Sequence, residues 1–117
     1  MKIKSGILAF ATVALMSAIN PADAGYYMPA NKLLSLCESN SVADQNVCVG
    51  YVLGVTDAAQ MLDSQTDMRR YCPPKNVTSS QLEKTAVKYM NENRQNLVKS
   101  ASYYVLVALR EAFPCKE

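Results

Sequence analysis

The sequence predicts an all-α domain of four helices stapled by two disulfides. Three observations carry that expectation: apolar residues recur at three- and four-residue steps along most of the chain beyond residue 30; the short β-branched stretches fit that helical period better than strand alternation; and the chain holds four cysteines but no histidine.

The first 24 residues stand apart from this domain. Lys2 and Lys4 precede a weakly polar to apolar run over residues 6–19, followed by the helix-breaking Asn20-Pro21 and then Ala22-Asp23-Ala24. A positive segment, an apolar segment and an A-x-A site in that order make a secretory signal peptide, with cleavage expected after Ala24. The apolar run is about 14 residues, short of the 17 to 25 that a membrane-spanning helix needs. No cysteine lies beside the cleavage site to accept a lipid. The expected product is residues 25–117, one soluble periplasmic domain with no membrane attachment once the signal is removed.

A domain of this size buries too little apolar surface to be comfortably stable by its core alone, so covalent help is expected. Cys37, Cys48, Cys72 and Cys115 all fall after the signal segment, and an even count in an oxidising compartment reads as two disulfides. A zinc site is the alternative, but there is no C-x-x-C spacing and no histidine. Three connectivities are open. Cys37–Cys48, closing a short helix-loop-helix, and Cys72–Cys115, tying the central loop to the C-terminus, are favoured.

Each helix has its own signature. Asn31 is a candidate cap for a first short helix carrying Leu33, Leu34, Leu36 and Cys37, ending before the polar residues 38–41. A second helix is expected from Asp44 to about Ser64, with Cys48, Tyr51, Val52, Val55, Ala58, Ala59 and Leu62 in register. Gly50, Gly54 and Ala58 form a ridge of small residues along it. Glycine in a helix interior costs roughly 1 kcal/mol against alanine, and close approach of a neighbouring helix is the expected compensation. Asp57, beside the ridge, is expected to bond a helix terminus or a lysine such as Lys84 or Lys88.

Residues 66–77 are irregular, with Pro73-Pro74 unable to continue a helix. Thr78 followed by Gln81 reads as a capping box, and Leu82, Ala86, Tyr89 and Met90 mark the inner stripe of a third helix fraying over residues 91–96. The last helix is expected from about Gln95 to Ala112, with Leu97, Ala101, Tyr104, Val105, Ala108 and Leu109 on one face. Val98, Tyr103, Leu106 and Val107 widen its apolar surface, which suits a central helix that also serves a subunit interface. Pro114 stops it and Cys115 pins the end.

Composition narrows the function classes. After signal removal ten Lys and Arg face nine Asp and Glu, with no basic stripe interleaved with aromatics, so nucleic acid is not an expected partner. Without histidine the commonest general base and metal ligand is missing, and with all four cysteines bonded no thiol nucleophile remains. The expectation is a protein that is not an enzyme, has no catalytic residues and takes neither metal nor cofactor.

The run Leu33-Leu34-Ser35-Leu36-Cys37, then Cys48-Val49-Gly50-Tyr51-Val52-Leu53-Gly54-Val55-Thr56-Asp57-Ala58, then Cys72-Pro73 and the ending Phe113-Pro114-Cys115 resembles the Tai-type immunity proteins. These are periplasmic antidotes to the peptidoglycan amidase toxins of bacterial type VI secretion. The resemblance spans nearly the whole chain after the signal. It implies a partner, an amidase of the cysteine peptidase type whose active-site cleft is blocked, and a homodimer. The alternative from another class is a small periplasmic helical chaperone or stress protein.

No motif carries toxin contacts across, so physical reasoning selects them. An inhibitor that fills a cleft needs a projecting segment ordered before binding, because preorganisation lowers the entropic cost of docking. The segment with Asp63, Gln65, Asp67, Met68, Arg69, Arg70 and Tyr71, held by Cys72 and the prolines, is the first candidate. The turn with Lys88, Glu92 and Arg94 is the second.

Overall fold

The computed structural model describes residues 26–66 and 71–116. The expected signal peptide, residues 1–24, lies outside them. Helix α1 spans Ala30–Glu38, α2 Val42–Gln65, α3 Ser79–Glu92 and α4 Ala101–Ala112. No named strand occurs among the described residues; one isolated bridge joins Pro29 to Ser100. The expected four-helix architecture is present, and both favoured disulfides are formed, Cys37–Cys48 and Cys72–Cys115.

The helices start where side chains satisfy their free amides. Ser41 Oγ accepts from the Asp44 amide at the start of α2, and Ser39 Oγ, bonded to the Asp44 carboxylate at 2.7 Å, steadies the same corner. At α3 the expected capping box is complete: the Gln81 amide donates to Thr78 Oγ1 at 3.2 Å, and the Thr78 amide donates to Gln81 Oε1 at 2.9 Å. The first helix begins one residue before the expected cap, entered from Pro29 with no side-chain cap.

The last helix departs most from expectation. It begins at Ala101, not near Gln95, because Ser100 supplies the cap and the chain before it is consumed by other bonds. Residues Arg94–Asn96 form a single 3-10 turn. The Tyr104 hydroxyl then donates to the Asn96 carbonyl at 2.7 Å and accepts the Val98 amide at 3.0 Å, holding residues 96–98 in a shape a helix cannot take.

In the core, α4 is the central element: Ala101, Tyr104, Val105, Ala108 and Leu109 are buried, and the helix touches α1, α2 and α3. Around it gather Leu33 and Leu34 of α1, Val52 and Ala59 of α2, and Leu82, Ala86 and Met90 of α3. At fully closed positions of this kind, truncating a leucine to alanine costs roughly 2–5 kcal/mol.

The small-residue ridge of α2 is a correction. Gly50, Gly54 and Ala58 are exposed, and a Cβ added at either glycine would meet nothing within 4 Å. Among the described residues no neighbouring helix approaches them, because the side of α2 that enters the core is the one with Cys48, Val52, Thr56 and Ala59, nearly half a turn away. Asp57 shares that exposed side and makes no hydrogen bond or ion pair among the described residues, so the expected link to Lys84 or Lys88 is not made.

Candidate functional site

The first candidate segment leaves the end of α2 and returns at Tyr71. Asp67, Met68, Arg69 and Arg70 lie outside the described residues. Its two margins are described. On the departing side, Thr66 Oγ1 donates to the Leu62 carbonyl at 3.0 Å and Ser64 Oγ to the Met61 carbonyl at 2.7 Å, which satisfies helix-end carbonyls that would otherwise need water. Gln65 is exposed and Asp63 half-buried.

On the returning side the chain is fixed within two residues. Tyr71 is only 4 % exposed, and its hydroxyl donates to the Thr56 carbonyl at 2.9 Å. The Cys72 amide donates to the Phe113 carbonyl at 2.8 Å, and the Cys72–Cys115 bond joins the same two stretches covalently. Tyr71 therefore serves this region as an anchor sunk into the domain.

Between the margins lies an open recess of about 620 Å³ lined by Gln60, Asp63, Ser64, Thr66, Tyr71, Cys72 and Pro73. The last turn of α2 carries no basic residue to meet the negative end of the helix dipole. The Tyr71 hydroxyl is pushed above the usual tyrosine range, first by burial and then by the Asp63 carboxylate.

The second candidate set sits elsewhere. None of Lys88, Glu92 and Arg94 lines that recess. Lys88 and Glu92 form an exposed ion pair one helical turn apart at 3.7 Å, a type worth a few tenths of a kcal/mol. Arg94 binds the Glu38 carboxylate and the Asn91 side chain, fastening the end of α3 to the end of α1. Asp63 and Tyr71 are thus brought together at the end of α2, while Lys88, Glu92 and Arg94 lie apart from them, Arg94 at the end of α1.

Sequence reasoning missed a third feature. The outward side of α2 presents Val47, Met61 and Leu62 beside Gly50, Gly54 and Ala58, an apolar strip on a helix of 24 residues, or about 36 Å. The signal was there in the i, i+4, i+8 spacing of Gly50, Gly54 and Ala58, but spacing alone does not tell an inward ridge from an outward one. Among the described residues no group of His, Cys, Asp and Glu could hold a metal ion, and no helix is long and apolar enough to cross a membrane.

The family model described as Rap1a immunity proteins matches residues 29–115. Neither the curated proteins nor the solved structures include a match to the chain.

Proposed function

The chain belongs to the Rap1a immunity proteins, and from that premise we propose that it is a periplasmic antidote to a type VI secretion effector, an inhibitor and not an enzyme. The finer reading follows the likeness to Tai-type proteins: the effector is a peptidoglycan amidase of the cysteine peptidase type, and the antidote occludes its active-site cleft. Export and oxidation fit the two disulfides, which persist in an oxidising compartment.

The observation that carries the cleft reading is the anchoring of the segment around residues 63–71. A buried tyrosine, a backbone hydrogen bond and a disulfide hold its return within two residues. A segment so tethered loses less freedom on docking. Asp63, Gln65, Asp67, Met68, Arg69 and Arg70 are the contacts we assign to it, with Lys88, Glu92 and Arg94 as a secondary surface.

A homodimer belongs to the same reading, and the outward strip of α2 is the surface we assign to the second copy. Bare glycine backbone lets another helix come close, and among the described residues nothing lies within 4 Å of where a Cβ would stand at either exposed helix-interior glycine. Light scattering on the oxidised protein, with Gly54→Leu as the disrupting variant, tests it: a wild-type monomer removes the dimer from the reading.

The test of function is titration of the oxidised protein, residues 25–117, against the amidase effector of the same cell, with peptidoglycan cleavage as readout. Cleavage abolished near equimolar antidote supports the proposal. Charge reversal at Asp67, Arg69 and Arg70 should then weaken binding with little change in melting temperature; unchanged affinity takes this segment out of the interface. Weak binding of many unfolded clients and no inhibition would favour a chaperone.

A further inference from the structure

The two disulfides differ in what surrounds their sulfurs. Cys48 is fully buried, while Cys37 is half-buried and lines a recess of about 370 Å³ between α1 and α3 with Glu83, Lys84, Val87, Lys88 and Asn91. A Glu83 carboxylate oxygen stands 3.6 Å from Cys48 Sγ. A bonded sulfur has no proton to give, so this contact sets a carboxylate against sulfur with no hydrogen bond between them. By contrast Cys72 and Cys115 are both half-buried, and Cys72 opens on the 620 Å³ recess at the far end of α2.

We infer that Glu83 is a guard residue that slows thiol attack on the Cys37–Cys48 bond, leaving Cys72–Cys115 as the exchangeable one. The chemistry runs through one direction only. An external thiolate reaches the accessible sulfur, Cys37, forms a mixed disulfide there, and expels Cys48 as a thiolate carrying the electron pair of the broken bond. A second thiol of the same reductant then releases Cys37 and leaves as an oxidised disulfide, and two protons from solvent complete the two thiols.

The expulsion is the step Glu83 opposes. Exchange is faster the more acidic the leaving thiol, and a thiolate forming in a buried site beside a carboxylate is disfavoured on both counts. Lys84 and Lys88 line the recess, but both are exposed, and the Lys88 ammonium already faces Glu92. Water screens them from the buried sulfur. The Cys72 and Cys115 sulfurs, both half-buried, would instead leave as thiolates within reach of water.

Timed reduction of the folded protein with dithiothreitol, quenched by alkylation and mapped by mass spectrometry, tests this. Wild type should open Cys72–Cys115 first; Cys37–Cys48 opening first overturns the inference without need of any variant. A single-thiol reductant should leave its adduct on Cys37, and an adduct on Cys48 overturns the direction of attack. In Glu83→Gln the Cys37–Cys48 rate should rise about five- to tenfold with the Cys72–Cys115 rate unchanged. An unchanged rate, or both bonds accelerating together as a loosened fold would cause, overturns the role of the charge.

Discussion

The two ends of α2 are built on different principles. At its start, Ser41 caps the helix, Cys48 is buried and bonded to Cys37, and Glu83 of α3 closes over the sulfur. At its end, the last turn itself carries no basic residue to meet the helix dipole, Met61 and Leu62 face water, and a recess lies between the helix end and Tyr71, Cys72 and Pro73 of the returning chain. One end spends its residues on closure, and the other leaves groups available to a partner and recovers stability through a tether. The contrast teaches that rigidity at the exposed end comes from long-range links, Tyr71 and Cys72–Cys115, rather than from helix packing.

The largest test removes each staple. In the chain-entropy view, closing the 43-residue separation of Cys72–Cys115 is worth about 4 kcal/mol, against about 3 kcal/mol for the 11-residue separation of Cys37–Cys48. Paired alanine substitutions followed by urea unfolding should therefore show the far staple costing more. The opposite order would mean that packing around Cys48 outweighs loop closure, and the contrast between the ends would have to be redrawn.

Next in size is the anchor. Tyr71→Phe removes the hydrogen bond to the Thr56 carbonyl while keeping the ring, and should cost about 1 kcal/mol in the same measurement. A loss of effector affinity beyond that, read by calorimetry, would sharpen the view that anchoring serves presentation.

Smaller and opposite in sign, Gly50→Ala and Gly54→Ala should each raise the stability of the isolated copy by about 0.5–1 kcal/mol, since the added methyl enters open space. Destabilisation that grows with protein concentration would instead show a second helix already seated there.

The least effect is that of pH. Tyr71 in the folded protein holds its proton above the ordinary value of 10.0, because burial and Asp63 oppose the phenolate. Between the unfolded and folded values the unfolded chain binds fewer protons, so stability is intact below about pH 10 and falls as pH rises beyond it. The Tyr71→Phe variant should lose that part of the alkaline decline.

Helix periods, the Thr78–Gln81 capping box and the disulfide pairing were legible in the sequence because each is local or set by a few cysteines. The start of α4 was not: Leu97 and Val98 continue the apolar period of the helix, and the Ser100 cap together with the Tyr104 hydroxyl, reaching back to Asn96 and Val98, overrides it. The orientation of Gly50 and Gly54 was hidden for a related reason. Both sides of α2 are apolar, and which one meets α4 is decided by the whole assembly. Glu83 gave no signal, since a carboxylate beside a disulfide has no sequence spacing.

One backbone stitch has a kinetic meaning. The Ala101 amide donates to the Met28 carbonyl at 2.9 Å, and the bridge between Pro29 and Ser100 lies beside it, so the entry to α1 is completed by the entry to α4. Contacts between such distant parts of a chain demand loop closure before they repay it, which slows folding relative to a bundle of neighbours. A chain emerging N-terminus first would leave the entry to α1 unstitched until the last helix arrived. Cys37 and Cys48 would meet early, and the order of oxidation would then run from the front of the domain to the back.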